Sequence, residues 1–130
     1  MAIPTVRFRL DLGPHESVGP GKVALLEHIG ERGSLSQAAR DLKMSYKRAW
    51  QLLESLNSSF KEPVVVTSTG GRHGGGATLT EFGRTLVRTY RSFDLAIQAK
   101  AIRHFRSLVP HVRKDPVRSK GAPVVRLNER

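Results

Sequence analysis

The chain has 130 residues, of which 22 are Lys or Arg and 11 are Asp or Glu, so its formal net charge is +11. A chain of this length can bury one modest core, and the excess of positive charge favours an anionic polymer as partner, with nucleic acid ahead of an acidic membrane surface. The absence of cysteine excludes disulfides, thiolate metal sites and cysteine nucleophiles and fits a reducing cytoplasm, and no apolar run is long enough to span a membrane.

The N-terminal part of the sequence predicts a strand followed by a helix. Thr5–Asp11 reads TVRFRLD, an alternation of apolar and charged side chains that is typical of a half-buried strand. Glycine and proline between residues 13 and 21 then mark a loop. A helix is predicted from Lys22 to Ile29, ended by Gly30 and Gly33.

A helix-turn-helix is the strongest pattern, and it lies between Ser34 and Ser58. Ser34 and Gln37 form a capping box at the start of one helix, and Ser45 can cap the next. Apolar residues recur at helical spacing in both segments: Leu35, Ala38, Ala39 and Leu42, then Ala49, Leu52, Leu53 and Leu56. Because Lys43 and the following residue form a very short connection, the helices must cross at a steep angle. Lys43 stands where such turns usually have glycine.

The outward face of the second helix predicts DNA contacts. A step of 100° per residue from Ala49 points Lys47 and Gln51 away from the core, with Arg48 on a flank. These three residues occupy the first two turns, from which a recognition helix reaches base edges. Lys and Arg suit guanine, and Gln suits adenine. Further predicted DNA contacts in this region are Ser34, Gln37, Ser45, Tyr46 and Trp50. The alternative is an ordinary helical hairpin with a solvated polar face.

The glycine-rich stretch TGGRHGGGA predicts a hairpin tip between strands at Val64–Ser68 and Ala77–Leu79. Its spacing fits neither a P-loop nor a dinucleotide-binding loop. Arg72 and His73 at such a tip would contact the sugar-phosphate backbone or the minor groove. The alternative is a loose surface loop.

A long helix is predicted to begin after Thr80 and to stop at Pro110. Its apolar stripe extends beyond what a compact domain can cover, which predicts a two-fold dimer. The predicted dimer interface comprises Leu86, Tyr90, Phe93, Ile97, Ala101 and Phe105. The alternative is a helix folded back on its own domain. Residues 1–110 are thus predicted to form one domain, and residues 111–130 a basic, flexible tail.

Two longer motifs resemble a known family. GSLSQAARDLKMSYKRAW (33–50) and TGGRHGGGATLTEFGRTLVRTY (69–90) closely resemble the N-terminal domain of ModE-type molybdate-responsive transcriptional regulators. The resemblance, which covers roughly residues 21–97, implies a winged helix that dimerises through its long last helix and binds a palindromic operator. By it, Ser45–Arg48 and Trp50 fall in the recognition helix and Arg72 and His73 in the wing. A more distant resemblance is to the DNA-binding domain of LysR-type regulators.

Full-length regulators of the ModE type carry C-terminal domains that bind molybdate. The residues after Pro110 are too few to form them, so the sequence gives no support for molybdate and leaves the effector open. The five histidines show no metal-ligand spacing, and no cofactor is expected.

The sequence thus predicts a mainly α-helical protein with a small β-hairpin, a winged helix-turn-helix with a long C-terminal helix. The favoured function is a cytoplasmic, sequence-specific transcriptional regulator that binds double-stranded DNA as a homodimer. Two alternatives stay open: a nucleoid-type protein that coats DNA without sequence preference, and an oxyanion- or metal-responsive binding protein. An enzyme is the least favoured class.

Overall fold

The computed structural model describes residues 3–69 and 75–114. The elements follow the order β1 (Leu10–Asp11), β2 (Ser17–Val18), α1 (Pro20–Arg32), α2 (Leu35–Asp41), α3 (Tyr46–Ser59), β3 (Val65–Ser68), β4 (Gly76–Leu79) and α4 (Glu81–Phe105), with a 3-10 helix over Arg106–His111 at the end. The predicted fold class, mainly helical with a small hairpin and a long last helix, is confirmed.

The N-terminal segment is extended, but only its end is a strand. Leu10 pairs with Val18 and Asp11 with Ser17 in an antiparallel ladder. The predicted strand over Thr5–Asp11 is therefore too long by five residues, although the alternation of half-buried and exposed side chains is as expected. The segment before β1 packs on α4 instead of on another strand.

The core is built on α1 and the faces of α2, α3 and β3 that turn towards it. Pro20 at the first helical position starts α1, and Gly33 ends it in the left-handed conformation, with φ at 66°. The largest fully buried side chains are aliphatic: Val18, Val23, Leu25, Leu26, Ile29, Leu53, Leu56 and Val64. Burial of each one stabilises the fold by about 1.5–3 kcal/mol.

The hairpin of β3 and β4 is attached to the end of α1. The strands form the predicted hairpin, and the antiparallel register places Val65 opposite Leu79 and Ser68 opposite Gly76. Ala77 N donates to Gly33 O at 3.0 Å, which ties β4 to the end of α1. This attachment fixes the direction in which the hairpin leaves the core.

The last helix is long, and its start is fixed by Thr80. The Thr80 hydroxyl accepts from Gly83 N at 2.9 Å and donates to Pro63 O at 2.7 Å, so it caps α4 and holds the chain before β3. The 25 residues of α4 correspond to a rod of about 37 Å. The α-helix ends at Phe105, and Pro110 lies inside the 3-10 helix that follows. The prediction that Pro110 terminates the helix was therefore wrong by five residues.

Candidate nucleic-acid interface

The turn between α2 and α3 depends on the backbone of Lys43. Lys43 has φ at 57°, the left-handed region that favours glycine. Its N–H donates to Arg40 O, and Met44 N donates to Ala39 O, both at 3.0 Å. These bonds reverse the chain within three residues and bring α2 against α3. Lys43 thus occupies the glycine position of the turn in glycine's conformation.

The N-terminal ends of both helices are capped as the sequence predicts. Ser34 Oγ accepts from Gln37 N at 3.3 Å, and Ser45 Oγ accepts from Arg48 N at 3.0 Å. Ala49 is fully buried, so the helical step directs the opposite face of α3 away from the core. The residues on this outward face are exposed: Lys47, Gln51, Glu54 and Ser58.

One flank of α3 faces the hairpin and is held there by Asn57. Asn57 Oδ1 accepts from Val64 N at 2.8 Å and from Val65 N at 3.2 Å, and Nδ2 donates to Val65 O at 3.1 Å. A single side chain therefore fixes the hairpin relative to α3. Sequence reasoning missed this role, because an Asn near the end of a helix carries no signal of a partner in a later strand.

The same flank carries two exposed aromatic side chains. Tyr46 is 57% and Trp50 44% exposed, one helical turn apart. They line a cleft of about 390 Å³ together with Leu35 and Ser36 of α2 and residues 67–69 and 75–76 of the hairpin. The cleft is open and runs between α3 and the hairpin.

A second cleft adjoins the first and contains the other predicted contacts of α2. It measures about 460 Å³ and is lined by Ser34 and Gln37, by the basic side chains of Arg32 and Arg40, and by residues 75–76. The structure thus brings Ser34, Gln37, Tyr46 and Trp50 to one continuous side of the molecule. Arg72 and His73, the predicted wing contacts, lie outside the described residues.

The apolar stripe of α4 divides into a covered and an uncovered part. Tyr90 is 3% and Ala101 5% exposed, so the chain itself buries both. Tyr90 stacks on Phe8 at a centroid distance of 4.7 Å, and its hydroxyl donates to Phe8 O at 3.2 Å. Leu86 and Ile97 are half-buried, whereas Phe93 is 48% and Phe105 50% exposed. A partner would therefore meet chiefly Phe93, Ile97 and Phe105.

Metal-binding and membrane-spanning features are lacking in the part of the chain that the structure describes. Within residues 3–69 and 75–114, no three His, Asp or Glu side chains are grouped as metal ligands would be. No helix among these residues has the length and apolar character to cross a bilayer.

Comparison with known proteins matches this geometry. Residues 21–84, from α1 to the start of α4, match the family model described as the bacterial regulatory helix-turn-helix protein of the lysR family. This range, just under half of the chain, is similar to LysR-type helix-turn-helix domains. The matched range holds both capped helices, the Lys43 turn and the hairpin, which are the parts that build the exposed face of α3.

The relatives of this chain include proteins named for molybdenum. The chain is 38% identical over 93 residues to the molybdenum transport protein ModE of Azotobacter vinelandii, covering 72% of this chain and 34% of that protein. It is 41% identical over 88 residues to the molybdenum-pterin-binding protein MopB of Rhodobacter capsulatus, covering 68% and 32%. It is 42% identical over 71 residues to the DNA-binding transcriptional dual regulator ModE of Escherichia coli K12, covering 55% and 27%. The resemblance to ModE-type regulators is confirmed for this domain, and the chain spans about a third of the length of these relatives or less.

Proposed function

We propose that this chain is a sequence-specific DNA-binding regulator of transcription that binds an inverted-repeat operator as a homodimer. The observation that carries the proposal is the face of α3 opposite Ala49, which is polar, basic at its start and exposed. Two capped helices and the Lys43 turn present this face as a rigid surface. A recognition helix must be presented in this way to enter the major groove.

Residues on and beside α3 would make two kinds of DNA contact, to base edges and to the sugar-phosphate backbone. Lys47 and Gln51, in the first two turns, would reach base edges. Tyr46 and Trp50 would contact the sugar-phosphate strand that passes through the cleft between α3 and the hairpin. The remaining proposed backbone contacts are Ser34, Gln37 and Ser45 beside the helix starts, and Arg72 and His73 in the wing.

The homodimer would form through the uncovered part of the α4 stripe. Burial of a large apolar side chain that is now half exposed contributes free energy to association, and Phe93, Ile97 and Phe105 lie along one side of α4. A two-fold axis through this helix would present two copies of α3 to the same face of the DNA. The proposed domain is residues 1–110, with residues 111–130 as a basic tail.

The proposed activity is binding rather than catalysis, and it would take place in the cytoplasm, where a bacterial regulator meets its DNA. The net charge of +11 also suits a nucleoid-type protein that coats DNA without sequence preference. Glu54 on the outward face of α3 argues against this second function, because phosphates repel a carboxylate and its use at a groove is to discriminate between base sequences.

Selection from a randomised duplex pool tests the proposed function. Duplexes retained by the protein are sequenced, and the affinity for the enriched sequence is compared with that for scrambled DNA of the same length and salt concentration. We expect an inverted repeat whose half-sites lie about one helical turn, 10–10.5 bp, or a multiple apart. Enrichment of no motif, with equal affinity for both duplexes, would support the nucleoid-type function instead.

The effector is a separate question, raised by the names of the relatives. Calorimetric titration of the protein with molybdate and tungstate, with sulfate as the control anion, tests the oxyanion-responsive alternative. Heat that saturates with molybdate but not with sulfate would favour that alternative. If molybdate and sulfate give equal heats that do not saturate, the oxyanion-responsive alternative is excluded.

A further inference from the structure

Basic side chains gather beside the flank of α3 that faces away from the hairpin, and two of them, Arg9 and Lys22, have no role in the proposed function. Arg9 precedes β1, Lys22 lies in the first turn of α1, and Arg48 lies in the first turn of α3. We call these three residues the cationic edge. Arg9 and the strand that follows it lie outside residues 21–84, which match the helix-turn-helix family.

Lys22 is the fixed centre of the cationic edge. Its Nζ donates to Ser17 O at 2.7 Å and to Ser55 Oγ at 3.0 Å, so the ammonium group bridges β2 and α3. An ammonium group has three donors, and among the residues that the structure describes two acceptors are bonded to Lys22 Nζ, so that one donor can bind a ligand. Because two bonds already hold the group in place, a ligand there would not have to immobilise a long, free side chain.

Arg9 and Arg48 both lie close enough to Lys22 for their charges to act on it. The stem of Arg9 packs over Gly19, with Cγ 3.6 Å from the position that a Cβ atom at Gly19 would occupy. Arg48 lies seven residues before Ser55, the partner of Lys22, and two helical turns put both on one side of α3. Burial, followed by the charges of Arg48 and Arg9, lowers the pKa of Lys22, which agrees with three cations at close range.

Few negative charges offset this group. Among the described residues, the carboxylate that forms an ion pair with the edge is Asp11, whose Oδ1 lies 3.0 Å from Arg9 Nε. Both side chains of that pair are mostly exposed, and an exposed pair of this kind contributes little to stability. The cationic edge therefore repels itself in the free protein, and an anion bound there would relieve the repulsion.

The position of the edge on α3 identifies the anion. Tyr46 and Trp50 lie about 160–200° around α3 from Arg48 at 100° per residue, so the hairpin cleft and the cationic edge border opposite flanks of the outward face. A helix in the major groove lies between two sugar-phosphate strands. One strand would pass through the hairpin cleft, and the second would then run along the cationic edge.

We propose that Arg9, Lys22 and Arg48 form a second DNA-backbone site, which binds phosphates of the strand across the major groove from the wing. The site rests on the proposed function, and it extends the contact surface beyond the helix-turn-helix to the strand before it. It also gives Arg48 a phosphate contact in place of the base contact that the sequence predicts.

Two substitutions that change the charge of the site in opposite directions test it in the full chain. Arg9→Gln removes a phosphate partner, whereas Asp11→Asn removes the carboxylate that competes with phosphate for Arg9. On the selected operator we expect Arg9→Gln to weaken binding and to reduce the slope of log K against log[salt] by about 0.9 for each phosphate that Arg9 neutralises. We expect Asp11→Asn to tighten binding several-fold. If the Arg9–Asp11 pair only stabilises the fold, both substitutions should weaken binding. That result would overturn the proposal.

Arg103→Gln is the matched control. Arg103 is an exposed arginine in the last turn of α4. It lies about 15 Å along the helix, at 1.5 Å per residue, from Phe93, on which Phe8, the residue before Arg9, packs. We expect Arg103→Gln to leave the slope as in the wild type. An equal slope change in Arg9→Gln and Arg103→Gln would show a general charge effect and would also overturn the proposal.

Neutral methylphosphonate linkages, placed one at a time in each strand, locate the contact. We expect a position at which neutralisation weakens wild-type binding and leaves Arg9→Gln unaffected, which is the coupling that a direct contact requires. Lys22→Met serves as a second variant, and because Lys22 also bridges β2 and α3, Arg9→Gln decides if Lys22→Met does not fold. Wild-type protein that binds the operator with no coupled position contradicts the second site alone, whereas wild-type protein that selects no operator contradicts the proposed function as well.

Discussion

The side-chain amide of Gln98 takes the place of a neighbouring strand for Val6. Gln98 Oε1 accepts from Val6 N at 2.9 Å, and Gln98 Nε2 donates to Val6 O at 2.6 Å. A backbone amide in a sheet would satisfy the same two groups. Asp94 Oδ1, 2.9 Å from Nε2, holds the amide in this orientation, so α4 secures the N-terminal segment with a single side chain.

Substitution Gln98→Ala should therefore detach the segment before β1. Removal of both bonds leaves Val6 N and O partly buried without a partner, at a cost of about 1–3 kcal/mol in the free energy of unfolding. Urea denaturation monitored by circular dichroism measures it. Gln51→Ala, which removes the same side chain from an exposed position, should change the free energy by less than about 0.5 kcal/mol; equal effects of the two substitutions would contradict the role of Gln98.

Substitution of two helical glycines by alanine should change the free energy of unfolding in opposite directions. A Cβ atom at Gly83 would overlap Val64 O, because α4 passes against the chain before β3 at this point. Gly83→Ala should therefore destabilise the protein by about 1–3 kcal/mol. Gly21, in the first turn of α1, has no atom within 4 Å of such a Cβ, so Gly21→Ala should stabilise by about 0.5–1 kcal/mol. Thermal unfolding of the two variants measures both signs, and two changes in the same direction would refute the packing argument.

Side chains on the face and on the flank of α3 should differ in their effect on specificity. Lys47→Ala and Gln51→Ala should each cost about 1–3 kcal/mol on the selected operator and much less on scrambled DNA. Arg48→Ala should weaken binding to both duplexes by similar factors, because a phosphate contact carries no sequence information. Fluorescence anisotropy at one salt concentration measures the six affinities. The assignment of base contacts fails if Lys47→Ala and Gln51→Ala lower the affinity equally on both duplexes.

A charge in the uncovered stripe of α4 should disrupt the dimer. Ile97→Asp would place a carboxylate in an apolar interface, and we expect folded monomers that bind the operator far more weakly. Leu95→Asp is the control, because Leu95 is exposed and lies 200° from Ile97 around the helix at 100° per residue. Sedimentation equilibrium measures the mass, with fold checked by circular dichroism. A wild-type monomer at tens of micromolar, with full affinity for one half-site, would contradict the dimer.

The helical parts of the fold could be predicted because their signals are local. The caps at Ser34, Ser45 and Thr80 each satisfy an N–H three residues ahead, and such short-range bonds depend on the adjacent sequence alone. The turn at Lys43 shows the limit of the same reasoning. The sequence reveals that glycine is absent from this position, whereas the structure reveals that lysine adopts the left-handed conformation there.

The parts that could not be predicted depend on residues far apart in the chain. Gln98 bonds to Val6 across 92 positions, and Lys22 bonds to Ser55 across 33. No periodicity encodes such partners, and the alternation in Thr5–Asp11 cannot distinguish a strand that pairs with another strand from one that packs on a helix. The grouping of Arg9 and Lys22 with Arg48 was missed for the same reason, since the three residues come from separate parts of the chain.

The attachment of the N-terminal segment to α4 has a thermodynamic consequence. Phe8 packs on Tyr90 and, at a centroid distance of 5.2 Å, on Phe93, and the next residue is Arg9. The proposed dimer surface and the proposed phosphate site thus share one short piece of chain. If assembly shifts Phe93, it also moves the anchor of Arg9, and dimer formation and operator affinity would then be coupled. By reciprocity, the operator must favour assembly by the same free energy with which assembly favours the operator.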